Sequence, residues 1–484
     1  MSDRGVPFVV YNSLSRRLEE FRPLKPDRAD LYTCGPTVYN YPHIGNLRAY
    51  VFSDTLHRAL LWKGYSVRKV VNITDVGHLA ADSDLGEDKL EAAARTSVQS
   101  VYELARRYEN AFYDDLAMLR IIPADTYARA TDHVTEMIEF AAVIERRGAA
   151  YRLPSGLYFD TSKARDYGKL AVMRADEQRE GARVEAVAGK RNKNDFVLWR
   201  TEQPGEQRLM RWNSPWGWGA PGWHLECSVM SILLLGPHFD LHTGGVDHRE
   251  LHHVNEIAQS EAYLADGQDW VRYWMHNEFL NIKQAKMAKS EGTGLRLTEL
   301  MDQGFEAAAY RLLLLTAHYR SQTEFSTTAL ESAATALRRL RRRVAEHGQP
   351  RLVANYADAI AVAGDERTRA VLDQFDAAIS DDLNTARVIV AFQEALRDES
   401  ISPTGQAVIA GAAETLLSVG LADPIAAPAV SKELEAEIED LLAQRAQARE
   451  QRNWARADQI RDDLHQRGVR IKDTARGTAW DVIH

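Results

Sequence analysis

Near the start of the chain, the pattern of apolar and polar positions predicts a strand, a helix and a second strand. Residues 31–34, LYTC, predict a short strand that leads into a Gly-Pro turn. Apolar residues then recur at three- and four-residue spacing over residues 47–60, which predicts an amphipathic helix opening at His43. Residues 66–73 are rich in β-branched side chains and predict the second strand. Such a βαβ unit predicts a parallel sheet, and residues 8–30 predict a hairpin leading into it.

The rest of the chain continues the alternation and then becomes helical. We expect helices over 89–119 and 131–147, a hairpin over 151–160, a charged mobile loop over 169–195, a helix over 223–235, a strand over 239–242, a helix over 251–259 and a strand over 279–282. Further helices are predicted over 304–319, 327–347 and 365–420, with a Pro/Ala linker over 421–430. The predicted fold class is α/β: a Rossmann-like parallel-sheet nucleotide-binding domain with an insertion, followed by a helical bundle and a small C-terminal domain.

Composition limits the class of protein. The chain has 484 residues, 45% hydrophobic and 27% charged, which favours a globular protein of several domains. No apolar run approaches a membrane span, and the N-terminus lacks the apolar region of a signal peptide. Two cysteines exclude a disulfide framework, so we expect a cytoplasmic protein with no membrane partner. The net charge of -9 argues mildly against nucleic acid as a partner, although one face can still be basic.

The turn before the first predicted helix is a candidate phosphate site. A strand, a turn of small residues and a helix start present backbone N–H groups to a phosphate, and the imidazole of His43 can donate to the same group. Thr74 and Asp75 end the second strand, where polar groups face the ligand crevice of a parallel sheet. The alternative for Thr74 and Asp75 is a simple helix-capping turn.

Two later segments are candidates for nucleotide binding. After a predicted strand, Gly244 and Gly245 would let the backbone approach a flat ligand, and Asp247 can accept hydrogen bonds from ribose hydroxyls, although this pattern alone has low specificity. Lys286 and Lys289 lie in a loop of small residues. Two ammonium groups there can neutralise a triphosphate as it loses pyrophosphate; the alternative is an ordinary charged surface loop.

Four side chains form a candidate metal site. Cys34 and Cys227 are the two cysteines, and His252 and Glu256 share a face of a predicted helix because they are four residues apart. Two thiolates, an imidazole and a carboxylate make a tetrahedral zinc set. The alternative is two core cysteines and a surface ion pair. We favour zinc because both cysteines fall in polar, Gly-rich segments.

The last predicted unit, residues 431–484, opens with a helix that carries four arginines, Arg445, Arg449, Arg452 and Arg456. Their spacings of four, three and four residues would place the guanidinium groups on one stripe of that helix. We interpret the stripe as a candidate phosphate contact, and the alternative is a solvated face.

Seven motifs follow one another along essentially the whole chain: CGPTVYNYPHIGN, NITDVGH, PGWHLECS, HTGGVDH, HHVNEIAQSEA, KMAKS and WARADQIRDDL. In sequence and order they resemble those of the class I cysteinyl-tRNA synthetase family. The resemblance implies an enzyme that activates L-cysteine with ATP and Mg²⁺ to cysteinyl-adenylate and transfers the cysteinyl group to tRNA-Cys. It also implies that the protein acts as a monomer.

The resemblance assigns roles to individual residues. One zinc ion per chain would be bound by Cys34, Cys227, His252 and Glu256. The HIGH and KMSKS signatures, which hold the catalytic groups, would correspond to His43, Asn46, Lys286 and Lys289. The cysteine substrate would contact Thr74, Trp223, Cys34 and Cys227. ATP would contact His43, Asn46, Gly244, Gly245, Asp247 and Lys289.

The resemblance also implies a division of the chain into domains. These are the first half of a Rossmann catalytic domain (1–120), a connective insertion (121–220), the second half of the catalytic domain (221–285), the KMSKS loop and stem-contact region (286–325), a helical-bundle tRNA-binding domain (326–425) and a C-terminal anticodon-recognition domain (431–484).

Three positions depart from the family pattern. Asn46 replaces the commoner second His, Ala288 replaces the Ser of KMSKS, and Val254 stands where many relatives carry Glu. None of them touches the zinc set or Lys289, so we expect them to affect rate and not reaction type.

Three other functions fit the sequence less well. A zinc hydrolase built on His252, His253 and Glu256 is disfavoured because a catalytic zinc usually has three protein ligands and a water. A ligase that transfers cysteine to an amino-sugar is disfavoured because such relatives look shorter and lack the C-terminal tail, whereas this chain has a helical bundle and residues 431–484. An inactive, synthetase-like RNA-binding module is disfavoured by the intact lysines and zinc set.

Overall fold

The structure, a computed structural model, describes residues 4–76, 100–172, 188–206, 208–282, 294–425, 432–466, 469–474 and 477–482. The first half of the chain contains β1 (Val9–Asn12), β2 (Arg17–Glu20), β3 (Arg28–Thr33), α1 (Ile44–Trp62), β4 (Ser66–Ile73), α2 (Val101–Met118), β5 (Thr126–Arg129), α3 (Val134–Arg146), β6 (Ala150–Leu153), β7 (Gly156–Phe159), β8 (Phe196–Thr201) and β9 (Gly219–Pro221). The second half begins with α4 (Trp223–Leu235), β10 (Phe239–Gly245), α5 (Val246–Glu250), α6 (His252–Leu264), β11 (Val271–Asn277), β12 (Leu280–Ile282), α7 (Leu297–Asp302), α8 (Ala307–Leu315) and β13 (Thr323–Phe325). It continues with α9 (Thr327–His347), α10 (Tyr356–Val362), α11 (Glu366–Ser380), α12 (Thr385–Ala395), α13 (Pro403–Leu417), α14 (Lys432–Glu450), α15 (Trp454–Gln466), β14 (Val469–Thr474) and β15 (Gly477–Val482).

A five-stranded parallel sheet organises the first domain. Its strand order is β11-β10-β3-β4-β5, and every neighbouring pair is parallel. Nearly every residue of β3 and β10 is buried, which is typical of strands covered on both faces. The Rossmann-like α/β fold class and the predicted βαβ unit are therefore confirmed. The hairpin predicted ahead of the sheet is the antiparallel pair β1–β2.

The insertion contains a four-stranded antiparallel sheet in the order β6-β7-β8-β9, and the predicted hairpin over 151–160 is its β6–β7 pair. One predicted helix begins later than expected: the helix predicted from 131 begins at Val134, because residues Ala130–His133 form a 3-10 helix. Within the helix predicted over 89–119, the described part is α2, whose N-cap Ser100 forms a capping box with Glu103. Residues 89–99, and residues 173–187 of the predicted charged loop, lie outside the described residues.

Helices α9 to α13 form the predicted helical bundle, and a buried ion pair and a buried arginine connect it to the sheet domain. Lys63, just after α1, contacts the Asp376 carboxylate of α11 at 2.6 Å, and both side chains are buried. Arg311 of α8 is fully buried and donates to the carbonyls of Leu119 (2.9 Å) and Leu417 (2.7 Å). A guanidinium that connects three elements in this way fixes their relative positions.

The C-terminal unit has its own small core, built from Ile438, Ile460, Leu464 and Val469. The prediction of one helical arginine stripe is wrong, because α14 ends at Glu450 and α15 begins at Trp454. Between the two helices, Arg452 adopts a positive φ of 56°. Arg445 is buried and its Nη1 lies 3.3 Å from the Thr478 hydroxyl.

None of the described helices combines the length and the apolar character needed to cross a membrane.

Candidate active site and metal centre

The candidate site lies at the carboxyl ends of three neighbouring strands. Cys34 directly follows β3, and its backbone N–H donates to the carbonyl of Thr243 in β10 at 3.0 Å. Thr74 directly follows β4, and its N–H donates to the carbonyl of Pro36 at 3.0 Å. The glycine pair 244–245 ends β10. Segments far apart in the chain thus meet at the sheet edge where ligands of α/β proteins bind.

His43 is the N-cap residue of α1, as the amphipathic pattern predicted. Its Nδ1 accepts a hydrogen bond from the backbone N–H of Asn46, and Oδ1 of Asn46 accepts one from the N–H of His43. Partial burial lowers the pKa of His43. A neutral imidazole thus caps the helix start, where the N–H groups of His43 and Asn46 donate to each other's side chains.

The residues that follow the KMAKS segment border this helix start. The backbone of Gly294 lies so close to His43 that a Cβ on it would come within 3.0 Å of the Cβ of His43. The N–H of Ile44 donates to the carbonyl of Leu295 at 2.8 Å. Lys286 and Lys289 themselves lie outside the described residues.

The four predicted metal ligands come together in one buried cluster. One donor atom from each of Cys34, Cys227, His252 and Glu256 lies within 4.8 Å of every other. All four side chains are buried, and Glu256 is fully inaccessible. Oε1 of Glu256 lies 2.7 Å from Nε2 of His252, yet it has no hydrogen bond with proper geometry among the described residues. Two close donor atoms that do not point at each other fit ligands directed at a shared cation, and the donor set suits zinc.

The electrostatics of the cluster show how strongly its members interact. Burial and the contact with Cys227 raise the pKa of the Cys34 thiol well above its usual value. Burial opposes ionisation of Cys227, but hydrogen bonds with Cys34 and His252 outweigh it and lower that pKa to about 6. Burial likewise opposes charging of His252 and Glu256, yet their mutual attraction raises the pKa of His252 to about 10 and lowers that of Glu256 to about 2.

A second set of donor atoms overlaps the first. Cys34, His242, His253 and Glu256 also lie within 4.8 Å of one another. In this set Nε2 of His242 is 2.8 Å from Glu256, and Nδ1 of His253 has a partner outside the set, Nε2 of His276 at 2.8 Å. We favour the set with Cys227, because a second thiolate makes a softer site and because His252 Nδ1 contacts another side chain, as metal-bound histidines usually do.

His242 and His276 were not predicted as site residues, and His253 was named only for the zinc-hydrolase alternative. His253 contacts Cys34 at 3.2 Å, and Nδ1 of His276 contacts the Ser13 hydroxyl at 2.8 Å, so a chain of side chains backs the metal cluster. The doublet His252-His253 was a usable signal, because two adjacent polar residues on a buried helix need partners.

The predicted cysteine-binding residues flank this cluster. Trp223 stacks on His252 with ring centroids 4.2 Å apart. The Thr74 hydroxyl donates to Oε2 of Glu226 at 2.8 Å. Asp75, the neighbouring candidate, instead accepts hydrogen bonds from the backbone and hydroxyl of Thr131 (2.9 and 2.6 Å).

The predicted ribose site lies at the end of β10. A Cβ on Gly244 would come within 2.8 Å of the His253 ring. Only glycine therefore lets the backbone at this position lie so close to His253. Asp247 is exposed in the first turn of α5, and one of its carboxylate oxygens lies against Gly245.

Two family models match the chain. The model of the class I (C) tRNA synthetase catalytic domain covers residues 20–335, and that of the cysteinyl-tRNA ligase anticodon binding domain covers residues 431–480. Together they span both ends of the motif series in the sequence.

Curated relatives match over nearly the full length. The cysteine–tRNA ligase of Novosphingobium aromaticivorans is 46% identical over 97% of this chain and 96% of its own. That of Zymomonas mobilis is 42% identical over 98% and 97%. Among solved structures, Mycobacterium tuberculosis methionyl-tRNA synthetase bound by methionyl-adenylate has a TM-score of 0.53 at 16% identity, covering 81% of this chain and 90% of that one, which shows the shared fold. The chain therefore belongs to the class I cysteine–tRNA ligase family, enzymes that charge tRNA with cysteine.

Proposed function

We propose that the chain charges tRNA in two steps at one site. L-cysteine and ATP with Mg²⁺ give cysteinyl-adenylate and pyrophosphate, and a 3′ ribose hydroxyl of tRNA-Cys then accepts the cysteinyl group. The observation that carries the proposal is that a buried cluster with two cysteines and the capped start of α1 both follow strands at the carboxyl edge of the sheet. In our proposal the cluster recognises sulfur and the helix start recognises phosphate, as a cysteine-activating enzyme requires.

The first step needs no protein nucleophile, because the substrate carboxylate attacks the α-phosphate. The protein contributes positioning and charge stabilisation. In our proposal Nε2–H of His43 and the amide of Asn46 donate to phosphate oxygens. Lys286 and Lys289 offset the negative charge that grows on the departing pyrophosphate. Gly244, Gly245 and Asp247 hold the adenosine.

Cysteine would be selected at the metal cluster. Cys34, Cys227, His252 and Glu256 would hold the zinc, and the bound ion would supply a soft Lewis acid that favours the substrate thiolate. The residues of the chain do the rest of the work: Trp223 walls one side of the site, and the oriented hydroxyl of Thr74 provides a polar contact.

The proposal is tested with the full-length protein in two linked assays. ATP–pyrophosphate exchange should require cysteine, charging should require tRNA-Cys, and metal analysis should find about one zinc per chain. Active enzyme free of zinc, or exchange that ignores cysteine, would contradict it.

The lysine assignment has a separate test. Lys289→Ala should slow adenylation far more than it weakens ATP binding, because the charge it meets grows in the transition state. The matched control is Lys163→Ala, which removes an exposed lysine from the insertion. Equal losses of rate and ATP affinity would mean an ordinary binding contact.

A further inference from the structure

Glu226 is a buried carboxylate that the mechanism above does not use. It lies in the first turn of α4, directly before the predicted metal ligand Cys227, and its side chain is fully inaccessible. Oε2 accepts the hydrogen bond from the Thr74 hydroxyl at 2.8 Å. Oε1 has no hydrogen-bond partner among the described residues. A buried carboxylate oxygen without a donor is costly, so its retention calls for a ligand that supplies one.

The position of Glu226 matches one group of the substrate. On one side, the adjacent residue is Cys227, where the cysteine thiol would bind. On the other, Thr74 joins Glu226 to the phosphate-facing turn, because the backbone of Thr74 pairs with that of Pro36 and Val38. In cysteine the α-ammonium is carried by the carbon between the thiol arm and the reacting carboxylate. A group placed between the metal cluster and the phosphate turn is therefore placed to meet that ammonium.

The other carboxylates described at this sheet edge have their oxygens engaged or lie elsewhere. Both oxygens of Asp75 accept hydrogen bonds from Thr131. Oε2 of Glu256 contacts His242, and Oε1 belongs to the metal cluster. Asp247 is exposed on the proposed ribose side. Outside the metal cluster, Oε1 of Glu226 is thus the buried carboxylate oxygen at this sheet edge that has no hydrogen-bond partner among the described residues.

We propose that Glu226 is a specificity-determining residue whose Oε1 accepts a hydrogen bond from the α-ammonium group of the cysteine substrate, while Oε2 holds the Thr74 hydroxyl in place. This inference rests on the proposed function, because it takes the cysteine pocket as given. The ligand class is an α-amino acid with a thiol. Thiols without an ammonium group would lose this contact.

A cycle of two ligands and two enzymes isolates the contact. Calorimetric titration without ATP would measure the affinity of wild type and Glu226→Gln for L-cysteine and for 3-mercaptopropionate, which keeps the thiol and carboxylate but lacks the ammonium. We expect wild type to prefer cysteine by about 10- to 100-fold, the strength of a hydrogen bond between charged groups. Glu226→Gln should lose most of that preference while binding 3-mercaptopropionate as wild type does.

The outcomes separate this role from a structural one. If Glu226→Gln lowers the affinity for both ligands equally, Glu226 acts only through Thr74. If the preference for cysteine over 3-mercaptopropionate is unchanged and neither affinity falls, the ammonium group binds elsewhere. Either result overturns the proposal. Zinc content must match that of wild type. Should Glu226→Gln not fold, Glu226→Asp carries the test, since it keeps the charge but withdraws it by one methylene and should also lose preference for cysteine.

A matched control removes a buried carboxylate that already has a charged partner. Glu109 of α2 is 2% exposed and pairs with Arg129 at 2.8 Å, so Glu109→Gln should leave the ligand preference unchanged. Failure of the proposed function would look different. In that case wild type itself would show no cysteine-dependent pyrophosphate exchange, whatever the binding cycle gives.

Discussion

The side chains of His43 and Asn46 close the first turn of α1 on each other. Nδ1 of His43 accepts from the N–H of Asn46, and Oδ1 of Asn46 accepts from the N–H of His43, both at 3.2 Å. Because Nδ1 is the acceptor, the proton of the neutral ring sits on Nε2, which leaves an N–H donor for a phosphate. Asn46 therefore has a structural task besides its proposed contact with ATP.

Asn46→Asp should separate the two tasks. The carboxylate keeps an acceptor for the cap and suits the helix N-terminus, so the melting temperature should be unchanged or higher. The same charge faces the phosphates, so the Kd for ATP should rise about tenfold or more. Asn46→Ala is the reciprocal control, with about 1 kcal/mol of stability lost and a smaller effect on ATP. Scanning calorimetry measures the melting temperatures, and titration with ATP measures the Kd values. A lower melting temperature for Asn46→Asp would refute the capping role.

Loading the metal cluster should release about two protons per zinc at pH 7. Without metal, Cys34 and His252 are protonated, since burial raises the pKa of Cys34 and the contact with Glu256 raises that of His252 to about 10. Cys227, with a pKa of about 6, and Glu256, with a pKa of about 2, are already ionised. The apparent zinc affinity should therefore climb by about two decades per pH unit above pH 7 and flatten as pH passes these pKa values.

The measurement is calorimetric titration of zinc into the metal-free protein in buffers of different ionisation enthalpy. Below pH 6 a third proton, from Cys227, should appear. Release of only about one proton at pH 7 would mean that Cys34 or His252 is not a ligand.

Arg311 should be a large contributor to stability. It is fully buried and donates to Asp54 and to the carbonyls of Leu119 and Leu417. Arg311→Met leaves the Asp54 carboxylate and two carbonyls short of a donor, so we expect a loss of about 3–5 kcal/mol in urea unfolding. Arg343→Met is the control: that side chain is exposed, pairs with Glu346, and should cost at most about 0.5 kcal/mol. Similar values for both variants would contradict the buried role.

Elements with a strong local signal could be predicted from the sequence. The strand Ser66–Ile73 and the helices Trp223–Leu235 and Thr327–His347 have the bounds that their periodicity indicated. The break between α14 and α15 was missed because it contains neither Gly nor Pro. Asn453 caps the start of α15, because its side-chain oxygen accepts a hydrogen bond from the N–H of Arg456 at 3.2 Å.

Within the site, residue chemistry was enough to group Cys34, Cys227, His252 and Glu256, because zinc prefers that donor set. The contacts of His253 with Cys34 and of His242 with Glu256 could not be predicted from the sequence. They depend on β10 lying between β3 and β11, and strand order is a tertiary property that no local pattern encodes.

Deleting residues 431–484 should spare pyrophosphate exchange and lower tRNA charging at least about tenfold. The unit has its own core around Ile438 and Ile460, so the site domain does not need it to fold. Exposed Arg449 and Arg456 are the better phosphate candidates, since Arg445 is buried. Replacing both with Ala should reduce the salt dependence of KM for tRNA by a slope of about two. If charging survives the deletion, this unit does not bind tRNA.

Serine should support negligible pyrophosphate exchange. Serine differs from cysteine by one atom, and a difference in side-chain size alone changes the free energy of binding by only about 1–3 kcal/mol. The sequence of residues 121–220 offers nothing typical of a hydrolytic editing site, so discrimination must occur at binding. A cluster with two thiolates prefers a third sulfur donor, and a serine hydroxyl ionises far less readily than a thiol.

Sites that require a specific polar group reach discrimination of about 10⁴-fold without editing, and we expect that order here. Cys227→Ser should abolish cysteine activation while ATP still binds, because it changes the metal cluster and leaves the His43 turn intact. Exchange assays with both amino acids and ATP titration of the variant test this. Efficient activation of serine followed by hydrolysis of the product would show that selectivity comes from editing instead of from the sulfur-binding cluster.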